Sequence, residues 1–215
     1  MSATPRLILA SQSPARAKLL GEAGIRFETI VSHVDEDAVT AAAGSPTPSE
    51  TALLLAKAKA EVVAALPGAQ GAFVLGCDSV FEFDGEAHGK PYEPAVAIER
   101  ITRMSGREGV LHTGHWLISP SPDTHDGATT LACAGLGEVN SATVRFAELS
   151  AEEIRAYVAT GEPLHCAGSF TIDGLGGAFV ESVSGDPHTV VGLSVSTVRR
   201  LLADCDENIT SFWGS

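Results

Sequence analysis

Two serines, a proline and an arginine follow a short apolar segment near the start of the sequence. Residues 7–10 read Leu-Ile-Leu-Ala, and Ser11, Ser13, Pro14 and Arg16 come after them. Serine is a preferred N-cap and proline a preferred first helical residue, so the pattern predicts a strand that turns into a helix. Free backbone N–H groups at a helix start attract anions, and hydroxyl and guanidinium groups would strengthen that attraction. The segment therefore predicts either an ordinary capped connection or a phosphate-binding turn.

An aspartate follows an apolar segment in the middle of the sequence. Residues 73–75 read Phe-Val-Leu and predict a buried strand, which we expect to end at residues 76–79, where Asp78 stands. An acid has no packing reason to be there, and strand ends line ligand crevices in open α/β sheets. Asp78 is therefore the strongest single candidate for a catalytic residue.

A lysine lies in a bend set by glycine and proline. Residues 85–90, Gly-Glu-Ala-His-Gly-Lys, resemble a P-loop, but three residues instead of four separate the glycines, and Pro91 follows the lysine. The segment is therefore not a P-loop. Gly89 and Pro91 nevertheless fix a bend that would aim the Lys90 side chain at a phosphate group.

Other chemically capable residues have ordinary explanations when they are taken alone. His112 and His115 are three positions apart on a predicted strand, so their rings would point to opposite faces and could not easily share a metal ion. We predict them to be structural or surface residues. The acidic segment 35–37 and Lys59 are typical of solvated charges. The four cysteines are widely spaced, which indicates neither a zinc site nor a disulfide framework.

The composition excludes several classes of protein. The 215 residues carry a formal net charge of −13, and 44% of them are hydrophobic. Such a charge disfavours nucleic acids and anionic membranes, so we expect neither as a partner. No apolar run approaches the about 20 residues of a membrane span, and residues 1–15 lack the order of a secretory signal, so a cytoplasmic location is predicted. A divalent cation would help this acidic chain to bind a polyphosphate.

Helices and strands alternate along the chain, which predicts an α/β fold in a single domain over residues 1–215. The predicted strands cover residues 7–10, 26–32, 73–75, 80–83, 109–119, 128–146 and 179–183. The predicted helices begin at residues 14, 48, 94 and 151, and a last helix ends near residue 203. We expect a hairpin loop at residues 120–127 and a partly loose tail at residues 204–215.

Nine short segments fall in the order that is found in the Maf family. They are SQSP with Arg16, VDE at 34–36, LAKAKA at 55–60, GCDS at 76–79, GKP at 89–91, SGR at 105–107, TG at 113–114, CAGSF at 166–170 and VGL at 191–193. The chain therefore resembles Maf-like proteins over about residues 7–202. These are described as house-cleaning hydrolases of nucleotide metabolism, pyrophosphatases that split a nucleoside triphosphate between its α and β phosphates. The resemblance implies an inosine triphosphatase-like fold: an elongated mixed sheet with flanking helices and two lobes around a deep cleft.

The resemblance also implies roles for individual residues and a homodimer. Substrate binding is implied for Ser11, Ser13, Arg16, Ser79 and Asp173, and catalysis for Asp78, Glu36, Lys59 and Lys90. Asp78 and Glu36 would hold Mg²⁺ or Mn²⁺, because hard divalent ions prefer oxygen ligands. Asp78 would orient or deprotonate the attacking water, while the cationic side chains stabilise the transferring phosphoryl group and the leaving pyrophosphate.

Departures from the family pattern leave the nucleobase open. Ala15 stands where many relatives carry an arginine. Residues 166–173, CAGSFTID, are closer to the branch described for 7-methyl-GTP than to the branch for dTTP and UTP, which reads KAGAYGIQ, but residues 171–173 match neither. Ser79 replaces a threonine of the pyrimidine branch. Two alternatives stay open: a non-catalytic nucleotide-binding regulator of septum formation, and a phosphatase that releases orthophosphate directly.

Overall fold

A mixed sheet with helices on both faces forms the framework of the protein. The computed structural model describes residues 5–120 and 135–214. Within these ranges the strands are β1 (Arg6–Leu9), β2 (Glu28–Thr29), β3 (Ala72–Phe83), β4 (Glu86–His88), β5 (Glu108–Ile118), β6 (Leu136–Phe146) and β7 (Val180–Ser184). The α-helices are α1 (Pro14–Glu22), α2 (Glu36–Ala42), α3 (Pro48–Ala64), α4 (Pro94–Met104), α5 (Ala151–Ala159), α6 (Pro187–Val191) and α7 (Val195–Ala203). Short 3₁₀ helices cover Pro67–Ala69, Glu162–His165, Ala167–Ser169, Leu175–Phe179 and Ile209–Phe212.

The strand order is β2-β1-β3-β5-β6-β7, and β4 pairs with β3 outside this path. β1 runs parallel to β2 and β3, whereas the remaining pairs are antiparallel. The prediction of an α/β fold with a mixed sheet and flanking helices is confirmed.

The predicted helix starts are also confirmed: three of the four have the expected side-chain cap, and α4 begins at Pro94 without one. The Ser13 hydroxyl accepts a hydrogen bond from the Arg16 backbone N–H at the start of α1. Complete capping boxes begin α3 at Thr47 and α5 at Ser150. A capping hydroxyl satisfies an N–H group that has no partner inside the helix. Because the two residues are close in sequence, these helix starts can be predicted from the local sequence.

The predicted end of a strand at Asp78 is wrong. β3 continues without a break from Ala72 to Phe83, and Asp78 lies in its middle. The polar segment stays extended because β5 pairs with β3 from Val74 to Glu82 and supplies its ladder hydrogen bonds.

Three further segments differ from the sequence prediction. β2 is limited to Glu28–Thr29, since only Ile8 and Leu9 of β1 pair with it. The acidic segment 35–37 begins α2 instead of forming a loop: the Asp35 carboxylate caps the helix by accepting from the Ala38 N–H at 2.9 Å. The tail after residue 203 packs on the core, where Phe212 is fully buried with its ring against Phe73. Most of the predicted hairpin loop, residues 121–127, lies outside the described residues.

The hydrophobic core lies on both faces of the sheet. One cluster packs beneath α1 and α7 and includes Leu7, Leu9, Leu75, Leu193 and Leu202. A second cluster packs beneath α3 and includes Ile8, Ala10, Ala60, Val63 and Val74. A third surrounds the far end of β3 and includes Phe81, Phe83, Phe146 and Phe170. The middle of β3, where Asp78 lies, is thus the junction of these clusters.

Candidate active site

The candidate site lies at an open stretch of one edge of β3. β1 pairs with this edge up to Leu75, where the Ala10 N–H donates to the Leu75 carbonyl at 2.8 Å, and β4 pairs with the same edge only from Phe81 onward. Within the described residues no strand covers residues 76–80 on that side, and we call this stretch the notch. After His88 the antiparallel β4 chain runs back in the direction of the notch.

Two glycines allow α3 to lie directly on the sheet beside the notch. A Cβ at Gly76 would be 2.0 Å from the Ala56 carbonyl oxygen, and a Cβ at Gly114 would be 2.3 Å from the Ala52 carbonyl oxygen. Gly114 is the cross-strand partner of Asp78. The absence of side chains at both positions brings α3 close enough for Lys59 to reach Asp78.

Lys59 joins two carboxylates that come from separate elements. Its Nζ lies 2.5 Å from Asp78 Oδ1 and 2.7 Å from Glu36 Oε1. The side chains of Lys59 and Asp78 are both about nine-tenths buried, whereas that of Glu36 is 53% exposed. Glu36 reaches this position as the first residue of α2, directly after the Asp35 cap. Three charged groups that are far apart in sequence therefore form one cluster on the α3 face of the notch.

Burial determines the electrostatics of this cluster. Desolvation raises the pKa of Asp78 above its ordinary value, and the charges of Lys59 and Arg16 oppose that shift. A carboxylate with a raised pKa is a stronger proton acceptor than an exposed one. The cluster thus places a candidate general base next to a buried ammonium group.

Arg16 occupies the opposite face of the notch. Its Nε donates to the Gly192 carbonyl at 2.7 Å, Nη1 donates to the Cys77 carbonyl at 2.8 Å and to Ser11 Oγ at 3.1 Å, and Nη2 donates to Ser79 Oγ at 3.1 Å. The side chain is buried. All four acceptors are neutral, and within the described ranges no carboxylate lies at ion-pair distance from Arg16. The guanidinium is thus held by neutral acceptors and has no direct ion pair among the described residues.

The two serines of the predicted phosphate turn flank this guanidinium. Ser11 Oγ accepts from the Ser13 N–H at 3.2 Å as well as from Arg16, which leaves the hydroxyl hydrogen of Ser11 available to an acceptor such as a phosphate oxygen. The Ser13 hydroxyl is occupied as the α1 cap. The structure therefore brings Ser11, Ser13 and Arg16 together at one helix start, on the face opposite Lys59.

The remaining residues predicted from the sequence, Ser79, Lys90 and Asp173, lie at different distances from the Lys59 cluster. Ser79 contacts Arg16, as described, and therefore belongs to the notch. Lys90 is exposed and lies two residues after β4, on the side of the notch opposite β1. Asp173 forms a surface contact of 3.8 Å with Lys18 of α1, and within the described part of the chain it has no contact with the Lys59 cluster.

The donor set suits a divalent ion only in company with other ligands. Asp78 and Glu36 each use one oxygen for Lys59, and the second oxygen of each accepts no hydrogen bond from the described residues. Within residues 5–120 and 135–214 no group of three or more histidine, cysteine or acidic side chains could hold a metal ion. Mg²⁺ is commonly held by one or two carboxylates together with substrate phosphates, and these residues fit that arrangement.

Sequence reasoning missed the groups that hold the charged residues in place. They are Gly76 and Gly114 beneath α3, and Thr113, Thr189 and the Gly192 and Cys77 carbonyls around Arg16 and Ser79. Thr113, Gly114 and Gly192 lie in motifs that matched the Maf pattern, so these motifs marked the residues but did not indicate what they do.

The predicted structural character of His112 and His115 agrees with their burial. None of the described helices is both long and apolar enough to span a membrane.

Comparison with known proteins connects this geometry to a family. A family model described as Maf-like protein matches residues 6–205. A protein of Streptomyces avermitilis named nucleoside triphosphate pyrophosphatase is 50% identical over 97% of this chain and 94% of its own length. One of the same name from Salinispora tropica is 52% identical over 97% of this chain and 87% of its own length. The structure of the Staphylococcus aureus Ham1 protein aligns with 68% of this chain and 72% of its own, at 14% identity and a TM-score of 0.34.

Proposed function

The chain belongs to the Maf-like protein family, and we propose on that basis that it is a nucleoside triphosphate pyrophosphatase. The reaction is hydrolysis of the bond between the α and β phosphates, which yields a nucleoside monophosphate and pyrophosphate. The observation that carries the proposal is the Lys59 bridge between Asp78 and Glu36, on the sheet edge that also holds the buried Arg16. A buried base and fixed cations side by side are what phosphoryl transfer requires.

The phosphate chain is proposed to bind across the notch. Arg16 offers a charge with no anionic partner among the described residues, and Ser11 offers a hydroxyl hydrogen. Lys90, at the end of β4, would stabilise the pyrophosphate as it leaves. Since the four acceptors of Arg16 hold it before substrate arrives, little reorganisation is needed during the reaction.

Asp78 is proposed to accept a proton from the attacking water. The water oxygen bonds to the α phosphorus, the bond from that phosphorus to the bridging oxygen breaks, and pyrophosphate departs with the bonding pair. The charge of Lys59 opposes the rise in the pKa of Asp78 that burial causes, and so favours the ionised carboxylate that accepts a proton. Asp78 and Glu36 would hold Mg²⁺ or Mn²⁺ together with the phosphates, and a divalent ion bound there supplies charge neutralisation and lowers the pKa of bound water.

Product analysis tests the proposed reaction. The protein is incubated with nucleoside triphosphates and Mg²⁺ or Mn²⁺, and phosphate release is measured with and without added inorganic pyrophosphatase. We expect a signal only with the coupling enzyme, and its loss in excess EDTA. Orthophosphate without the coupling enzyme would identify a direct phosphatase. Binding without turnover of any nucleotide would identify a non-catalytic regulator.

The preferred base is proposed to be modified or non-standard. The sequence CAGSF at residues 166–170, which is closer to the 7-methyl-GTP branch, supports this. The same assay, run with 7-methyl-GTP, dTTP, UTP and the unmodified purine nucleotides, ranks the substrates by kcat/KM. A clear preference for an unmodified nucleotide would contradict this part of the proposal.

We further propose a cytoplasmic homodimer that binds neither nucleic acid nor membranes. The net charge of −13 supports the last two points. β5 lies between β3 and β6, so its edges are not open to a second copy. β7 pairs with β6 only at Thr143–Phe146, so among the described residues the 136–142 stretch of β6 has no strand partner on that side. In the described sheet β7 is an outer strand with one unpaired edge. A monomer mass by light scattering at high protein concentration would contradict the dimer.

A further inference from the structure

We propose that Thr113 is a positioning residue for Arg16 and that it acts through Ser79. The inference rests on the proposed function in one respect, namely that the notch binds phosphate groups. In this proposal Ser79 orients Arg16 and does not contact the substrate.

The hydrogen-bond directions around Ser79 follow from counting hydrogens. Thr113 Oγ1 donates to the Thr189 carbonyl at 2.9 Å, and a hydroxyl has only one hydrogen. Ser79 Oγ lies 2.9 Å from Thr113 Oγ1, so in that contact Ser79 is the donor and Thr113 the acceptor. Arg16 can only donate, so its Nη2 contact of 3.1 Å uses a lone pair of Ser79. The result is a one-way relay from Arg16 through Ser79 and Thr113 to the Thr189 carbonyl.

This relay removes Ser79 from direct phosphate binding. An ionised phosphate oxygen accepts hydrogen bonds and has none to donate, while the single hydrogen of Ser79 is committed to Thr113. Ser79 therefore influences the substrate through Arg16. If Thr113 could not accept this hydrogen bond, the Ser79 hydroxyl could rotate. The Arg16 guanidinium would then lose an acceptor of fixed orientation.

The relay is rigid because its last acceptor is buried and lies on a short helix whose end also supplies a second acceptor of Arg16. Thr113 and Thr189 are both fully buried. Thr189 is on α6, and Gly192, whose carbonyl accepts from Arg16 Nε, is the C-cap residue of the same helix. The Thr189 hydroxyl donates to Asn140 Oδ1 at 2.8 Å, which fixes α6 against β6. Two hydrogen bonds of Arg16 thus depend, directly or through Ser79, on where α6 sits.

Direct binding of inorganic pyrophosphate tests the relay without relying on catalysis. Titration calorimetry with pyrophosphate and Mg²⁺ compares the wild type with Thr113→Val, Thr113→Ser, Ser79→Ala and the Thr113→Val/Ser79→Ala pair. We expect Thr113→Val to weaken binding about tenfold, or about 1.4 kcal/mol, because Ser79 is then no longer a fixed acceptor for Arg16. Thr113→Ser, which keeps the hydroxyl, is expected to bind like the wild type. In the Ser79→Ala background Thr113→Val is expected to add nothing, because both changes break one relay.

A matched control separates positioning from simple loss of stability. Tyr157→Phe removes a buried hydroxyl on α5 that donates to Glu162 and, among the described residues, contacts neither the relay nor Asn140. It is expected to lower the thermal midpoint while leaving pyrophosphate affinity within about twofold of the wild type. If Thr113→Val does not fold, Thr113→Ala takes its place in every comparison.

The outcomes distinguish failure of the relay from failure of the proposed function. Thr113→Val that binds pyrophosphate as well as Tyr157→Phe does, or effects of Thr113→Val and Ser79→Ala that add, would overturn the relay. A wild type that binds pyrophosphate but hydrolyses no nucleotide would leave the relay standing and overturn only the proposed reaction. A wild type that binds no pyrophosphate would overturn both.

Discussion

Lys59 Nζ lies 2.5 Å from Asp78 Oδ1, and the two side chains neutralise each other in the interior of an otherwise strongly acidic protein. The pair exists because α3 touches β3 without intervening side chains at Gly76 and Gly114. A buried ion pair adds little net stability, but removing one partner leaves the other charge uncompensated. The relationship therefore matters most for the protonation state of Asp78.

Replacing Lys59 by methionine is expected to shift the acid limb of the pH–rate profile to higher pH. The Lys59 charge lowers the pKa of Asp78, so its removal lets burial raise that pKa further. A larger share of Asp78 is then protonated at neutral pH and cannot act as a base. Lys59→Arg keeps the charge and should keep the limb near its wild-type position. Superimposable kcat/KM profiles for Lys59→Met and the wild type would contradict this role.

Asp78→Asn is expected to lower kcat by about 10²–10⁴-fold, the usual cost of losing a general base. We expect the variant to stay folded, because Lys59 keeps Glu36 as a partner at 2.7 Å. Asp84→Asn, which alters an exposed aspartate in the β3–β4 turn, is the control and should retain wild-type kcat. Kinetics are measured beside a thermal melt of each protein. A folded Asp78→Asn protein with more than about a tenth of wild-type kcat would exclude Asp78 as the base.

Stability is expected to fall as the pH is lowered from about 6.5 to about 4, in part because of His115. Burial lowers the pKa of this histidine to about 4, and its Nε2 accepts from the Ser194 N–H at 2.8 Å. Between these pH values the unfolded chain binds a proton on His115, whereas the folded chain does not. Lowering the pH therefore lowers the free energy of unfolding, by up to about 3 kcal/mol. His115→Gln should flatten that part of the pH dependence, whereas the exposed His188→Gln should not. Urea unfolding from pH 4 to 7 measures it, and equal slopes for all three proteins would refute it.

Gly76→Ala is expected to destabilise the protein by at least about 1–3 kcal/mol, the usual cost of overpacking. Its Cβ would stand 2.0 Å from the Ala56 carbonyl oxygen, and a backbone atom cannot turn aside as a flexible side chain can. Gly21→Ala is the matched control, because nothing lies within 4 Å of its added Cβ and alanine favours the helix. Thermal melts of the two variants decide the matter: equal midpoints would mean that α3 does not pack as closely as described.

The sequence predicted those parts of the fold that depend on neighbours along the chain. The Thr47 and Ser150 capping boxes marked their helices because the capping partner is three residues away. The continuity of β3 past Asp78 was not predictable in this way, since it depends on pairing with β5, more than thirty positions downstream.

The candidate site was predictable to a similar extent. Ser13 and Arg16 followed from local helix chemistry, and Asp78 from its apolar neighbours. Lys59 and Glu36 look like solvated charges when taken alone, because only the packing of α3 and the start of α2 bring them to Asp78. Two of the four acceptors of Arg16 are backbone carbonyls, which carry no residue-type signal at all.

The notch is bordered by two kinds of strand pairing that differ in how quickly they form. β4 follows β3 directly through a tight turn. β1 pairs with β3 across a long stretch of chain, since Arg6 lies opposite Ala72. Closing a long loop for a parallel pair is slow, so β1 is expected to dock late in folding. A chain with its antiparallel strands already assembled would still lack Ser11 and Arg16 beside Asp78. Recovery of pyrophosphate binding after dilution from denaturant should therefore lag behind recovery of sheet content, and binding would report the last step of folding.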